Sequence, residues 1–507
     1  MKSYFESERY ESSRKYFEDI FDDELKAEFA YLPTTAALME KSCAHFSAHT
    51  ALTDTKSSVT YKELYEHVAH RRALLNEAGI PAGGHVGVIC RNNFDAIEWF
   101  LAVTTSGRVL MMMPVSLNAQ AIAGISVKFD YDAIIADSEF LPLTEGLRIP
   151  VIDAAKTIEA SADAADINAD TTAAIFFTGG TTGAPKGAVL THGALMRGSR
   201  NGCLYKGNTL HKKSIMMLPL SHIFGSVMGF LSGLYAGDTL CTCPDVKSGI
   251  GLIPVFRPTT LVLVPGIVEI ILGIASMKGA AFLGDLHMVL CGAAPVPPRL
   301  MSEFKKYGIE MLAGYGLTEG SNLTAGNYDT DVKPHSMGHI YPGQDYRVVD
   351  GELLIKGDNV MQGYYKDPEK TAEVLDSDGW LHTGDLVSFD DQGYITITGR
   401  KKNIILLPNG ENVSPEEIED LFYQSPMVRD CLVREDLKNG HAVLAIEILP
   451  VAQAFAGKTE QETEAALTAL MQEINAQLPP YKRVAKLTVR TEDFKRTGAM
   501  KVSRLQQ

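Results

Sequence analysis

The sequence predicts an α/β protein, in which a large N-terminal domain with βαβ-type sheets and a β-rich subdomain precedes a small C-terminal α/β domain. Between residues 48 and 150, short apolar runs alternate with amphipathic segments, a pattern typical of βαβ units that build a parallel sheet. Residues 85–90 and 109–114 are predicted to be buried strands, with a helix between them at residues 95–105. The same alternation continues to about residue 291.

A β-rich segment begins near residue 336. Its first two strand-like runs, at residues 346–350 and 351–356, meet at Asp350-Gly351. An Asp-Gly pair between two apolar runs is a strong signal for a two-residue hairpin. We therefore expect an antiparallel subdomain at the end of the large domain.

A charged segment at residues 399–402 separates this β-rich region from a second region of α/β alternation. The second region opens with a well-specified helix start, where Ser414 and Glu417 are predicted to form a capping box. The change in character predicts two domains, residues 1–400 and residues 401–507.

The composition restricts the classes of function. The 507 residues include 47 Lys and Arg against 62 Asp and Glu, a net charge of −15, which argues against a nucleic-acid partner. The N-terminus has no apolar signal core, and the apolar stretches at 223–237 and 261–275 are too short or too interrupted to span a bilayer. The seven Cys form no Cys-x2-Cys pair and are expected to be reduced. The sequence thus predicts a cytoplasmic protein that is not integral to a membrane.

The sharpest local feature is a loop rich in glycine and threonine that follows the apolar strand at residues 173–177. The backbone N–H groups of such a loop approach phosphate oxygens closely, and a lysine adds positive charge. It is not a Walker A loop, because Pro185 precedes the lysine and Gly187 follows it, with no Ser or Thr for Mg²⁺. The candidate phosphate-binding residues are Thr178, Gly179, Gly180, Thr181, Thr182, Gly183 and Lys186.

This loop resembles the phosphate loop of the adenylate-forming superfamily, which includes acyl-CoA synthetases, non-ribosomal adenylation domains and firefly luciferase. The family pattern is Thr-Ser-Gly-Thr-Thr-Gly-x-Pro-Lys-Gly, and Gly179 stands here where Ser is usual. The resemblance implies that the loop holds the β- and γ-phosphates of ATP. Further motifs follow in family order, so that the resemblance extends over residues 50–505. It also implies that the C-terminal domain is mobile.

Two of these motifs suit adenine, phosphate and Mg²⁺. Small residues after the strand at 287–291 leave room for a flat ring, and a tyrosine between glycines can stack on it. Thr318 offers a hydroxyl to a phosphate, and Glu319 offers Mg²⁺ a hard oxygen ligand. The resemblance implies the same roles and makes Thr318 and Glu319 catalytic. The residues of the two motifs are Gly292, Ala293, Ala294, Tyr315, Gly316, Thr318 and Glu319.

The other site residues rest on the resemblance. Asp385 and Arg400 match the positions that bind ribose, and Lys402 matches the hinge about which the C-terminal domain rotates. Gly410 matches the loop that lines the tunnel for CoA. Lys501 matches the catalytic lysine, which would neutralise charge on the substrate carboxylate and the α-phosphate as they meet.

The segment at residues 219–225 matches the acyl pocket of the family. It contains His222, and no acidic residue occurs between 215 and 237, which disfavours amino acids because a buried ammonium would lack a partner. Gly225 and Gly229 begin a series of glycines at every fourth position. On a helix such glycines form one face without side chains, which either allows close packing or leaves a channel for an apolar chain.

These motifs predict an ATP-dependent acyl-CoA synthetase. The enzyme would use ATP, Mg²⁺ and CoA to convert a carboxylic acid, preferably a medium- or long-chain fatty acid, into its CoA thioester through an acyl-AMP. Three alternatives stay open: an aryl-acid CoA ligase, an acyl-AMP ligase that loads the phosphopantetheine of a carrier protein, and a catalytically inactive nucleotide-binding protein. A homodimer is also left open.

Overall fold

The computed structural model describes residues 8–178, 185–407, 411–438, 441–495, 502 and 504. The strands are β1 Thr50–Thr53, β2 Ser58–Thr60, β3 His85–Ile89, β4 Val109–Met112, β5 Tyr131–Ala136, β6 Val151–Asp153, β7 Thr172–Thr178, β8 Lys186–Thr191, β9 Lys213–Met216, β10 Thr239–Thr242, β11 Thr260–Leu263, β12 Met288–Cys291, β13 Glu310–Leu317, β14 Asn322–Asn327, β15 His339–Ile340, β16 Gln344–Val349, β17 Glu352–Gly357, β18 Gly363–Tyr364, β19 Leu381–Phe389, β20 Ile395–Arg400, β21 Ile405–Leu406, β22 Asn412–Val413, β23 Val428–Lys438, β24 His441–Pro450 and β25 Val484–Val489.

The α-helices are α1 Glu8–Phe17, α2 Asp23–Glu28, α3 Thr35–Phe46, α4 Tyr61–Glu77, α5 Phe94–Thr105, α6 Ala119–Lys128, α7 His192–Asn201, α8 Ser232–Tyr235, α9 Val246–Phe256, α10 Pro265–Lys278, α11 Pro298–Lys305, α12 Pro368–Val374, α13 Pro415–Tyr423 and α14 Glu460–Gln477. A π-helix spans Phe224–Leu231, and short 3₁₀ turns include Thr318–Gly320 and Lys401–Asn403. Within the described part of the chain, no helix is long and apolar enough to cross a bilayer.

The α/β prediction is confirmed by the first large sheet. Its seven strands have the order β18-β8-β7-β4-β3-β5-β6, and β3, β4, β5, β6 and β7 run parallel. Helix α5 connects β3 to β4, as the apolar pattern predicts. Asn93 caps this helix, and its Trp99 and Phe100 are fully buried in the main core.

A second, five-stranded sheet has the order β11-β12-β13-β14-β15. Strands β11, β12 and β13 are parallel, whereas β14 and β15 are antiparallel to their neighbours. The π-helix contacts β11 and β14 of this sheet, and also β9. A smaller four-stranded sheet, β2-β1-β10-β9, completes the α/β part.

The β-rich subdomain and its hairpin are as predicted. Strands β16, β17, β19 and β20 form an antiparallel sheet, in which Val349 pairs with Glu352. The two residues between them, Asp350 and Gly351, have φ angles of 51° and 79°. Two positive φ values in succession are the signature of a type I′ turn, which Asp-Gly adopts at low cost.

The C-terminal part has a core of its own. Strands β23, β24 and β25 form a sheet against which α13 and α14 lie, and Ile418, Phe422, Val428 and Ile446 are buried between them. The prediction of a capping box at Ser414 is wrong.

The Ser414 side chain is engaged elsewhere. Its Oγ donates to the carbonyl of Thr398, at 2.7 Å, and bonds the Glu416 carboxylate at 3.2 Å. Glu417 forms an ion pair with Lys482 at 2.6 Å. The side chains of Ser414 and Glu417 therefore bond to other parts of the structure instead of capping the helix. The local sequence does not reveal these competing partners.

The large and small parts meet at an ion-pair network. Glu269 of α10 bonds Arg299 of α11 and lies 3.5 Å from Arg429 Nε in β23. Arg299 also donates to the backbone carbonyl of Arg429 at 3.4 Å. Arg429 pairs in addition with Asp493 at 2.7 Å. The division at residues 400 and 401 itself stays a prediction.

Candidate active site

The predicted phosphate loop connects two antiparallel strands of the seven-stranded sheet. Thr178 ends β7, Lys186 begins β8, and the two residues pair across the ladder. The loop residues Gly179, Gly180, Thr181, Thr182 and Gly183 lie outside the described residues, as do Gly410 and Lys501. The structure shows the two strand ends that the loop connects, at Thr178 and Lys186.

A chain of three side chains links the loop lysine to the predicted metal ligand. The Lys186 ammonium lies 4.7 Å from the centre of the Tyr364 ring, a distance at which a cation is attracted to an aromatic face. The Tyr364 hydroxyl donates to Glu319 Oε1 at 2.7 Å. Burial and the adjacent Glu319 carboxylate raise the pKa of Tyr364 far above its usual value. Lys186 and Glu319 therefore lie on either side of the Tyr364 side chain.

Tyr364 was missed from the sequence. Its strand, β18, is only two residues long, and Tyr364 pairs with Ala188 of β8, two residues after Lys186. The only local signal is a pair of aromatic residues before Lys366-Asp367-Pro368, which equally suits an ordinary turn. The contact exists because distant segments meet at a sheet edge.

Thr318 and Glu319 lie on a tight turn between β13 and β14. A Cβ on Gly316 would fall 1.3 Å from the carbonyl oxygen of Asn322, so any side chain would force the two strands apart. Ser321 and Asn322 both have positive φ, 53° and 90°, which is unfavourable for residues with a side chain. Such strain is stored where a backbone must hold functional groups in place.

Tyr315, Asp385 and Arg400 form a second cluster. The Tyr315 hydroxyl donates to Asp385 Oδ2 at 2.6 Å, and Arg400 Nε lies 2.6 Å from Asp385 Oδ1. Asp385 and Arg400 are cross-strand partners in β19 and β20. Asp385 is 1% exposed, and burial together with this carboxylate raises the pKa of Tyr315 well above its usual value. Both oxygens of Asp385 are thus engaged by protein groups, and a ribose hydroxyl would have to use a remaining lone pair or replace one of these partners.

The two segments predicted to border adenine are neighbours. Gly292 follows β12, and a Cβ there would lie 2.9 Å from the carbonyl oxygen of Gly314 in β13. Ala293 has a positive φ of 64°, and Ala294 follows it in the same irregular segment. The missing side chain at Gly292 thus permits the close approach of the two backbones.

Lys402, the predicted hinge, lies in a 3₁₀ turn directly after β20. Lys402 is exposed, and its pKa is nevertheless lowered, first by partial desolvation and then by the charge of Arg400. Asp385 and Glu319 act in the opposite direction. Because these carboxylates belong to the two clusters described above, Lys402 lies in the electrostatic field of both.

The predicted acyl segment begins with a loop held by Asn92. The Asn92 amide donates to the carbonyl groups of Met216 and Leu218 at 2.9 and 2.7 Å, and His222 follows this loop as a half-buried residue. From Phe224 the chain forms a π-helix instead of the α-helix that the glycine spacing suggested. The N–H of Ser232 donates to the carbonyl of Val227, five residues back. π-Helical turns are rare and frequently occur at functional sites.

The glycines of this segment do not share one role. A Cβ on Gly225 would lie 2.3 Å from the carbonyl oxygen of Pro219, and one on Gly233 would lie 2.9 Å from Leu240. These two glycines allow close packing. Gly229 has nothing nearer than 4.0 Å, so it alone leaves space of the kind that a substrate channel needs.

Arg504, three residues after Lys501, contacts α13 and β23. Its guanidinium lies 2.6 Å from Glu419 and 3.1 Å from Glu416, and donates to the carbonyl of Val433 at 3.1 Å. Burial raises the pKa of Glu419 to about 7, although Arg504 and the Val433 amide act in the opposite direction. Sequence reasoning did not single out Arg504.

The fold is that of an α/β protein with a small additional domain, and the two clusters form a candidate nucleotide site. The chain belongs to the AMP-binding enzyme family, because the sequence model of that family matches residues 39–365. A second model, the C-terminal domain of AMP-binding enzymes, matches residues 402–506.

Curated relatives carry names of acid–CoA ligases. The medium-chain fatty-acid–CoA ligase of Escherichia coli is 34% identical over 59% of this chain, and the alignment spans 55% of that enzyme. Feruloyl-CoA synthase of an Amycolatopsis species is 30% identical over 77% of this chain and 83% of its own length. These percentages support common ancestry over most of the large domain.

Solved structures agree with the fold over nearly the whole chain. The anthranilate CoA ligase AuaEII in complex with anthranoyl-AMP matches with a TM-score of 0.82 at 21% identity, covering 93% of this chain and 96% of that chain. ATP-bound MatB of Rhodopseudomonas palustris matches with a TM-score of 0.80 at 24% identity, covering 92% and 97%. At these identities the likeness establishes the architecture of a large and a smaller domain.

Proposed function

We propose that this chain is an AMP-forming acid–CoA ligase, which uses ATP to join a carboxylic acid to the thiol of CoA. The observation that carries the proposal is the position of Lys186, Tyr364 and Glu319 beside the phosphate loop, with the buried Tyr315–Asp385–Arg400 cluster in the neighbouring sheets. The first group offers a cation and a carboxylate for Mg²⁺, which a polyphosphate requires. The second offers a carboxylate that can accept hydrogen bonds from the hydroxyls of a ribose. The names of the relatives point to the same reaction.

In the first step, a carboxylate oxygen of the acid forms a bond to the α-phosphorus of ATP. The bond from that phosphorus to the bridging oxygen breaks, and pyrophosphate leaves with its electron pair. Lys186 and Thr318 would hold the phosphates, and Lys501 would offset the negative charge that collects around the α-phosphorus. Asp385 would fix the ribose, so that the reacting atoms meet in one orientation.

Mg²⁺ would be bound by Glu319 and would offset the charge of the departing phosphates. Among the described residues, no group of three or more His, Cys, Asp or Glu side chains is placed to hold a metal ion. A single carboxylate suits Mg²⁺ nonetheless, because this ion is usually held by one or two carboxylates together with phosphates and water. Glu319 has to exchange its hydrogen bond from Tyr364 for the metal or share its second oxygen.

In the second step, the sulfur of CoA attacks the acyl carbon of the acyl-AMP. The bond from that carbon to the phosphate oxygen breaks, AMP leaves, and the thiol proton passes to solvent. Rotation about Lys402 would withdraw Lys501 and bring Gly410 to the CoA tunnel. A carrier-protein thiol could take the place of CoA in the same step, since the chemistry of the thiol is identical.

The acid is proposed to be a medium- or long-chain fatty acid or an aryl acid. The curated names include both classes, and the π-helix offers open space at Gly229. Which class is preferred depends on the walls of that space rather than on the nucleotide residues.

A panel of carboxylic acids tests the proposal. Each acid is incubated with ATP, Mg²⁺ and either CoA or a phosphopantetheinylated carrier protein, and pyrophosphate and AMP release are measured. We expect AMP release with CoA for at least one fatty or aryl acid. Turnover only with the carrier protein would favour the loading enzyme, and silence with every acid would favour a catalytically inactive nucleotide-binding protein.

A cytoplasmic location and a homodimer also belong to this proposal. Size-exclusion chromatography with light scattering tests the second of these directly, because a monomer of 55.2 kDa and its dimer differ twofold in mass.

A further inference from the structure

A small cavity lies next to Gly229, between the π-helix and the five-stranded sheet. Its walls come from Gly229 and Ser232, from Val262 and Leu290 of β11 and β12, and from the segment between α7 and β9. Its volume of about 20 Å³ accommodates one group the size of a water molecule. The cavity lies outside the nucleotide-binding clusters described above.

The deeper wall of the cavity is polar. Lys212 and Asp238 both line it, are both more than 90% buried, and form an ion pair of 3.0 Å. The Lys212 ammonium also donates to the carbonyl of Thr209 at 2.7 Å. Because each charge has its counterion, the pair presents a polar surface without net charge. A second ionised group would have no partner there, which would be costly.

Three further polar groups on this wall have no hydrogen-bond partner within the described residues. They are the Tyr205 hydroxyl, Asn208 Oδ1 and the Thr260 hydroxyl, on residues that are 4%, 4% and 3% exposed. Buried polar groups are nearly always hydrogen-bonded. Three such groups around one small space therefore indicate that something polar occupies it.

The orientation of Asn208 restricts the chemistry of the occupant. Its Nδ2 donates to the carbonyl of Cys203 at 2.7 Å, so Oδ1 is left as a pure acceptor that requires a donor. The hydroxyls of Tyr205 and Thr260 can donate or accept. A hydroxyl group satisfies all three, whereas a carbonyl oxygen cannot donate to Asn208.

The cavity lies along β12 from the segment that is predicted to border adenine. Leu290 of β12 lies two residues before Gly292, which directly follows the strand, a distance of about 7 Å along the chain, and Thr260 pairs with Met288, two residues earlier in β12. The Phe224 ring would contact a Cβ on Gly292 at 3.4 Å, and the Phe224 carbonyl oxygen would lie 4.0 Å from a Cβ on Gly229. Phe224 therefore lies beside both Gly292 and Gly229.

We propose that this cavity binds a hydroxyl group at the distal end of the acid that the ligase activates, about 7 to 13 Å along β12 from Gly292. The inference rests on the proposed function. It narrows the substrate to hydroxylated fatty or aryl acids, and it excludes dicarboxylic acids because the Lys212–Asp238 pair is already neutral. Tyr205, Asn208 and Thr260 are the residues that determine this specificity.

The test compares acids in matched pairs of equal carbon number, with and without a hydroxyl at the distal carbon, together with the corresponding ketone. The kcat/KM of ATP-dependent pyrophosphate release is measured for the wild type and for Thr260→Val, which removes the hydroxyl at nearly constant volume. We expect the hydroxy acid to be preferred about tenfold or more. Thr260→Val should abolish most of that preference while leaving the unsubstituted acid within about twofold.

Thr242→Val is the matched control, because Thr242 is a buried strand residue that does not line the cavity. If Thr260→Val unfolds, Tyr205→Phe serves as the second variant, and a thermal-shift titration with the hydroxy acid reads binding without turnover. Equal rates for both members of every pair, or a preference that Thr260→Val leaves intact, would mean that ordered water fills the cavity and would overturn the inference. A preference for the ketone would also overturn it. Silence with all acids would instead refute the proposed ligase activity.

Discussion

Arg504 is predicted to hold the segment that carries Lys501 in its working position. The guanidinium is anchored to Glu419, Glu416 and the carbonyl of Val433, and Lys501 lies only three residues earlier in the chain. Arg504→Met retains a long apolar stem but removes the charge and all three hydrogen bonds. Glu419, which is 6% exposed, then loses its cationic partner.

The magnitude follows from the burial of this pair. Removing one member of a buried ion pair typically costs about 3–5 kcal/mol. Burial raises the pKa of Glu419 to about 7 although Arg504 lowers it. Removal of Arg504 therefore raises this pKa further, and protonation of the carboxyl reduces the cost increasingly as the pH falls. We therefore expect a loss of about 3 kcal/mol at pH 8 and a clearly smaller loss at pH 6.

Hydrogen exchange of the full-length enzyme measures this loss in α13 and β23, which contain Glu419 and Val433. Two kinetic assays accompany it: pyrophosphate release for adenylation, and thioester formation from supplied acyl-AMP. Adenylation should fall by at least tenfold while thioester formation changes little, because only the first step needs Lys501. The double variant Glu419→Gln/Arg504→Met should recover much of the protection but not the adenylation rate. Unchanged exchange and an unchanged adenylation rate in Arg504→Met would refute the reasoning.

Four further predictions concern other parts of the molecule. Lys501→Ala should abolish adenylation and spare thioester formation from supplied acyl-AMP, and an equal loss of both steps would contradict rotation between two half-reactions. Asp385→Asn should raise the KM for ATP about tenfold or more, because the buried carboxylate that Arg400 and Tyr315 orient loses its charge; an unchanged KM would remove Asp385 from the ribose site. Gly229→Leu should shift the acid profile towards shorter acids, since a Cβ at Gly229 points into open space, and an unaltered profile would show that acids do not pass there. Between pH 4.5 and about 7, native Glu419 binds more protons than the unfolded chain, so the free energy of unfolding of the C-terminal part should fall as pH rises through this range; Glu419→Gln should flatten this segment of the stability profile measured by urea unfolding.

Much of the fold was predictable because it depends on local periodicity. Apolar runs with flanking helices identified the parallel strands around α5, and Asp350-Gly351 identified the hairpin, since both φ angles there are positive. The prediction of a capping box at Ser414 was wrong because the Ser414 hydroxyl donates to the carbonyl of Thr398 in β20 instead. Local patterns cannot anticipate a tertiary partner that competes for the same hydroxyl.

The candidate site, like the fold, was predicted only in part from the sequence. Residue types and motif order pointed to Glu319, Tyr315 and Asp385, but the hydrogen bond between Tyr315 and Asp385 joins residues 70 positions apart. Tyr364 and the polar wall of the cavity carry no motif at all. They become visible only when burial is known, because an unpartnered hydroxyl is unremarkable on a surface and informative in an interior.

The separation between the nucleotide clusters and the cavity at Gly229 has an evolutionary consequence. Tyr205, Asn208 and Thr260 belong to segments that hold none of the predicted phosphate or ribose residues, and the two places are connected through Leu290 in β12 and Gly292 directly after that strand. Mutations in the cavity can therefore accumulate after a gene duplication without disturbing the activation chemistry. Descendants of such a protein could diversify in the acids they accept while the reaction itself is inherited unchanged.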